Sequence, residues 1–204
     1  MSKKYFFITG ISTEVGKTIA SAVITEALEA DYWKPIQAGD LEFSDTDKVK
    51  RLISNSKSVF HPNSYALRTP MSPHASAAID NVEIKLKNIT EPKTNNHLVI
   101  EGAGGLLVPL NTKETILDII QPTYKVIVVS RHYLGSINHT LLTVHLLKEK
   151  GFDVAIIFSG EQHVTTESII EKMTNVPVLG RIENEPYFDQ NVIKEYAEKF
   201  KEKL

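Results

Sequence analysis

The chain has 204 residues, enough for one sizeable domain that buries roughly 70% of its unfolded surface without a metal or disulfide staple. Lys plus Arg number 23 against 25 Asp plus Glu, a net charge of −2 that argues against a nucleic-acid-binding surface spread over the whole protein. There is no cysteine, which excludes a disulfide framework, thiolate metal sites, iron–sulfur ligation and a cysteine nucleophile.

Met1-Ser2-Lys3-Lys4 is basic, but the apolar run after it, Tyr5-Phe6-Phe7-Ile8, is too short for a signal peptide, and no stretch has the length of a membrane span. A cytoplasmic protein with no membrane partner is therefore expected. Continuous apolar runs at residues 5–8, 98–100, 126–129, 154–158 and 176–179 read as strands covered on both faces, hence a parallel sheet. A short second strand is expected near Tyr32-Trp33. Helical spacing over residues 18–29 and 136–150 places Ile19, Val23, Ile24 and Leu28, and then Ile137, Leu141, Leu142, Val144 and Leu147, on one side each. Ser136 is the expected N-cap of the second helix. Residues 40–95, broken by Pro62, Pro70, Pro73 and Pro92, read as short helices and loops over the sheet edge. Val192, Ile193, Tyr196, Ala197, Phe200 and Leu204 mark a terminal helix that docks on the domain or on a dimer partner. The expected fold is α/β, a doubly wound, mainly parallel sheet with helices on both faces, as one domain over residues 1–204.

The first strand runs directly into Gly10-Ile11-Ser12-Thr13-Glu14-Val15-Gly16-Lys17-Thr18, and a helix follows at once. Glycines let the backbone wrap an anion, Lys17 brings charge to the outer phosphates, and the Thr18 hydroxyl is placed for Mg²⁺. Five residues separate the glycines where the general phosphate-loop pattern has four. Three further clusters could complete a phosphoryl-transfer site. Lys34 follows the second strand, and Ser44-Asp45-Thr46-Asp47 opens a short helix, with either Asp45 or Asp47 free to face a metal. Glu101 ends the strand before Gly102-Ala103-Gly104-Gly105, a position suited to a Mg²⁺ ligand opposite the phosphate loop. Of seven histidines, His139 and His145 fall on different helical faces and the others stand isolated, so zinc is not expected.

Taken together these clusters resemble the dethiobiotin synthetases, P-loop enzymes of biotin synthesis. The resemblance rests on Thr9-Gly10, Thr13-Glu14-Val15-Gly16-Lys17-Thr18, Lys34-Pro35-Ile36, Ser44-Asp45, Ser72-Pro73-His74, Glu101-Gly102-Ala103-Gly104-Gly105 and Leu134-Gly135-Ser136-Ile137-Asn138-His139. These stretches fall in the family's order, and the five-residue gap is the family's own. The resemblance implies a homodimeric ligase that uses ATP, Mg²⁺ and CO₂ on 7,8-diaminononanoate, through a carbamate and a carbamic–phosphoric anhydride. It implies catalytic roles for Lys34, Lys17 and Thr13, and Mg²⁺ held by Thr18, Asp45 and Glu101. Nucleotide contacts fall to Glu14, Val15, Gly16, Lys17, Thr18, Ile19, Asp45, Glu101, Gly102, Ala103, Gly104 and Ser159. Substrate contacts fall to Thr13, Lys34, Gln37, Ala38, Pro73, Gly135, Ser136 and Asn138, with the tail carboxylate held by the neighbouring subunit's Gly135, Ser136 and Asn138. Two positions depart from the family: Ala38 stands where Ser or Thr is common, and Ser159-Gly160 where Asn-Asp often reads adenine. Gln37 could replace the missing hydroxyl, and nucleotide preference stays open. The alternative is a partner-regulated ATPase switch of the chromosome- or septum-positioning type. Such switches usually carry a second lysine early in the phosphate loop, and Ile11-Ser12-Thr13-Glu14-Val15 has none.

Overall fold

A computed structural model describes residues 3–204; Met1 and Ser2, part of the basic start weighed above as a leader, lie outside it. The β-branched and aromatic run Tyr5–Gly10 forms β1, buried almost throughout, and α1 (Lys17–Leu28) follows the phosphate loop. β2 (Asp31–Trp33), β3 (Ile36–Ala38), α2 (Asp45–Leu52), β4 (Phe60–His61), β5 (Tyr65–Leu67) and α3 (Pro73–Ile79) come next. The second half alternates strictly: β6 (Leu98–Glu101), β7 (Lys125–Arg131), α4 (Ser136–Glu149), β8 (Asp153–Ser159), α5 (Val164–Thr174), β9 (Val178–Ile182) and α6 (Gln190–Lys201).

Seven strands pair in the order β4-β2-β6-β1-β7-β8-β9, and every pairing is parallel. Helices α1, α2 and α6 pack as one group and α4 with α5 as another, so the sheet is sandwiched and its strands can be apolar on both faces. Strand order reverses at β1: the chain goes first towards β6 and β2, later towards β7, β8 and β9. A crevice forms beyond the C-terminal ends of strands at such a reversal, and the phosphate loop sits there.

Several expectations change in detail. The last strand lies later than its apolar run suggests, at Val178–Ile182, because it continues through Gly180. A Cβ on Gly180 would come within 2.5 Å of Phe200 Cε1, so glycine is what lets α6 close over that strand. α6 packs against α1 of its own chain, which settles where the terminal apolar stripe goes. A second, two-stranded sheet of β3 and β5 and the helices α3 and α5 add elements that hydrophobic periodicity does not show. Ser136 is not the N-cap of α4. Gly135 is, at φ 103, a left-handed conformation that favours glycine, and Ser136 is the first helical residue.

Away from the crevice, Asp31 ties the sheet edge to the incoming loop. Its carboxylate accepts from Thr94 Oγ1 at 2.6 Å, from the Val59 amide and Asn96 Nδ2 at 3.1 Å, and pairs with His61 Nε2 at 3.1 Å. Burial raises its pKa, but the hydrogen bonds from Thr94, Val59, His61 and Asn96 outweigh it and hold the carboxyl below its ordinary value. A carboxyl depressed in the folded state contributes stability that is complete above its ordinary pKa and lost as pH falls through the folded value. The urea midpoint of the wild type is therefore expected to drop below about pH 4 more steeply than that of Asp31→Asn, the gap between them closing in acid. Parallel midpoint–pH curves would contradict this.

Candidate active site

The site lies in a cleft of about 1180 Å³ lined by the phosphate loop, the ends of β2, β3 and β6, and the faces of α2, α3 and α4. β1 delivers Gly10 against the turn: a Cβ there would meet Val15 Cγ2 at 2.5 Å and the Ser12 carbonyl at 2.6 Å. Gly16 caps α1 at φ 94 with no side chain capping the helix, which leaves first-turn N–H groups to an anion. Lys17 is buried and folds back to donate to the Ser12 carbonyl at 3.0 Å. Desolvation, offset in part by Glu101 and reinforced by Lys34, pulls its ammonium down to about 8.

Opposite the loop, Tyr32, Lys34, Asp45, Lys48 and Glu101 meet. Glu101, buried at the end of β6, accepts from Thr18 Oγ1 at 3.0 Å, from Tyr32 OH at 2.9 Å and from Lys34 Nζ at 3.0 Å. Lys34 also bonds Asp45, which in turn accepts from Lys48 Nζ at 3.0 Å. Burial disfavours charge on Lys34, but Glu101 and Asp45 outweigh it and hold the ammonium above the ordinary lysine range. Asp45, despite burial, is held below the usual carboxylate range by Lys34 and Lys48.

Asp45 and Asp47 divide the two roles open to them. Asp47 closes a capping box, its Oδ2 accepting from the Ser44 amide at 2.9 Å while Ser44 Oγ accepts from the Asp47 amide at 3.3 Å. Asp45 is left to turn towards Lys34. Gln37 also lines the cleft, with its amide engaged at both ends: Nε2 donates to the Gly39 carbonyl at 2.9 Å and Oε1 accepts from the Asp45 amide at 3.3 Å. It thereby ties β3 to the start of α2 and to Asp45. Thr13, Glu14, Ile19, Ala38, Pro73, Ala103 and Gly104 line the cleft, while Val15 is buried behind the loop. Gly102 packs on Phe7, and its own Cβ would lie 3.1 Å from that ring.

On the other flank, Ser159 Oγ lies 2.9 Å from where a Gly16 Cβ would be, so the end of β8 abuts the phosphate loop. At the start of α4, Gly135 and Asn138 are exposed, whereas Ser136 is buried with its amide spent on the Tyr133 carbonyl at 2.9 Å. Tyr32 and Lys48 join the site without having been expected. Tyr32 stands two residues before Lys34, on the same side of the extended chain, so the two-residue period of a strand is a signal that could have found it.

Lys17, Thr18, Lys34, Asp45 and Glu101 thus form one charged constellation around a helix N-terminus, at the switch point of a parallel sheet. That is the site of a P-loop nucleotide-binding protein. An AAA-domain family model matches residues 4–192. The ATP-dependent dethiobiotin synthetase of Christiangramia forsetii is 63% identical over 202 residues, covering 98% of both chains. That of Cytophaga hutchinsonii is 48% identical, covering 96% of each. The chain belongs to the ATP-dependent dethiobiotin synthetase family. Among solved structures, the cell-division ATPase MinD of Pyrococcus furiosus aligns over 100% of both chains with a TM-score of 0.64 at 12% identity. A ParA-family ATPase from Chlorobium tepidum covers 96% of this chain and 98% of its own, with a TM-score of 0.61 at 13% identity. At such identities the likeness is one of fold alone.

Proposed function

We infer that the protein is a ligase that makes dethiobiotin in an ATP-dependent step of biotin biosynthesis, from 7,8-diaminononanoate and CO₂. The observation that carries the chemistry is a second buried lysine, Lys34, held between Asp45 and Glu101 across the cleft from Lys17. A nucleotide switch needs charge at the phosphates. A carboxylating ligase also needs a cation where a carbamate forms and is phosphorylated.

In this reading one amine of the substrate adds to CO₂ and loses a proton, giving a carbamate. Lys34 and the Thr13 hydroxyl orient it. A carbamate oxygen attacks the γ-phosphorus of ATP and ADP leaves, with Lys17 and Lys34 offsetting charge on the transferring group. The second amine then attacks the carbonyl carbon of the anhydride, phosphate leaves, and loss of a proton closes the cyclic urea. Neither lysine becomes covalently bound. Thr18, Asp45 and Glu101 offer a hydroxyl and two carboxylates, the hard oxygen set that suits Mg²⁺. Such an ion would supply charge neutralisation at the β- and γ-phosphates. The base end of ATP lies at Ser159, on the flank of the loop away from Lys34.

A homodimer fits the apolar rim of the cleft. Tyr133 and Leu134 are exposed just before α4, Leu134 fully, and Leu107 and Leu142 are exposed on the lining of the cleft. Gly135 and Asn138 would then hold the substrate's tail carboxylate in the partner's cleft, at the first turn of α4. Among the described residues no helix is long and apolar enough to cross a membrane, and the absence of cysteine suits a reducing cytoplasm.

The test is an assay of purified protein with and without each component. Dethiobiotin, identified by mass spectrometry, should form only when ATP, diaminononanoate, bicarbonate and Mg²⁺ are all present, with one ADP released per ring closed. ATP turnover that ignores the diamine, with no cyclic urea formed, would sink the ligase reading.

A further inference from the structure

Behind the Ser159 flank lies a charged cluster that the chemistry above does not use. Glu167, on the first turn of α5, is buried. Its carboxylate pairs with His132 Nε2 at 2.7 Å, from the loop after β7. It bonds the Arg181 guanidinium on β9, and it accepts from the His163 amide at 3.3 Å, in the loop after β8. Arg181 Nε also reaches Glu183 at 3.0 Å. Burial raises the pKa of Glu167, but Arg181 and His132 outweigh it and keep the carboxyl below its usual range. Among the described residues, His132 Nδ1 and Arg181 Nη1 are buried without a hydrogen-bond partner. Glu167 is the carboxylate that both side chains share, through His132 Nε2 and Arg181 Nη2.

The three segments it joins build the wall beside the phosphate loop. The Gly160 amide donates to the Ile182 carbonyl at 2.8 Å, so the loop after β8 rests on β9 beside Arg181. Asn184 Oδ1 lies 3.6 Å from where a Gly160 Cβ would be, and Ser159 Oγ abuts Gly16. On the reading given above, with phosphates on the loop and the base end of ATP at Ser159, the remainder of the nucleotide would extend over this wall.

We propose that Glu167 is a positioning residue for the base end of ATP: by clamping His132, His163 and Arg181 together it fixes the Ser159–Gly160–Asn184 wall. The proposal rests on the reading of where the base lies and deepens it. It explains why a buried carboxylate is spent so near the site, where a pair of apolar side chains would stabilise as well.

The experiment compares Glu167→Gln, which keeps shape and removes charge, with Arg181→Gln, which opens the same clamp from β9. Calorimetry measures Kd for ATP and for inorganic tripolyphosphate, each with Mg²⁺, and steady-state rates give KM and kcat. Both variants should bind ATP about tenfold more weakly and tripolyphosphate within about twofold of the wild type, with a raised KM for ATP and kcat largely kept. Equal losses for the two ligands, unchanged ATP affinity, or failure of both variants to fold would overturn the proposal, the last by reducing the cluster to a structural brace. A wild type that makes no dethiobiotin would sink the ligase reading instead, because the two affinities are measured without turnover.

Discussion

Lys34→Ala is expected to lower kcat by about three orders of magnitude, roughly 4 kcal/mol of barrier, while leaving Kd for ATP within about threefold. The asymmetry follows from geometry. Lys17 and the first-turn N–H groups of α1 belong to the phosphate loop, whereas Lys34 arrives from β2 and reaches Asp45 and Glu101. Nucleotide affinity therefore persists without it. What goes, on the proposed mechanism, is the cation that offsets charge on the carbamate and on the transferring phosphoryl group. Removing Lys34 also leaves Asp45 and Glu101 without their shared cation, so Mg²⁺ should bind at least as tightly as before. Single-turnover rates and calorimetry on one preparation check both halves. A variant with near-normal turnover would take Lys34 out of the mechanism, and one that lost ATP binding and turnover together would move it into the nucleotide site. Lys34→Arg is not a conservative rescue here, because a planar guanidinium cannot replace a compact ammonium between two carboxylates.

Much of this arrangement is legible in the sequence where one residue type dominates a run. β1, β6, β7 and β8 are covered on both faces, so unbroken Val, Ile and Phe stretches report them directly. The charged partners are readable because Lys34 and Glu101 sit at strand ends, where a parallel sheet collects its ligands. Other parts leave no such trace. β3 and β5 have three residues each, too few for any period to show, and are stabilised by pairing with each other. α5 begins Val164-Thr165-Thr166-Glu167, a polar and β-branched turn of low helix propensity, and is held by His163 capping and by α4. The Glu167 cluster leaves no such trace either: His163 is a near neighbour, but His132 and Arg181 are 35 and 14 residues away and meet it only through the order of β7, β8 and β9. The choice between Asp45 and Asp47 depended on which one closed the capping box, a matter of rotamers rather than of residue type.

Glu101→Gln should cost at least a hundredfold in kcat and shift the Mg²⁺ dependence to higher concentration, with the fold intact. Glutamine keeps the size of the side chain and an oxygen that can still accept from Thr18 or Tyr32. It gives up the charge. Lys34 then rests on Asp45 alone, and a buried ammonium with one counter-charge fewer is drawn closer to Asp45 and away from the cleft. The loss should thus have two separable parts: a metal-binding part, relieved by raising Mg²⁺, and a Lys34-orienting part that persists at saturation. Tyr32→Phe isolates a third contribution, removing one hydrogen bond to Glu101 without touching charge, and should cost less than tenfold. Mg²⁺ titrations of the three proteins at saturating ATP separate these terms. If saturating Mg²⁺ restored full turnover to Glu101→Gln, the carboxylate would be a metal ligand only. If Mg²⁺ had no effect on the deficit, Glu101 would serve Lys34 alone, and the metal would have to be held by Thr18 and Asp45 with the phosphates.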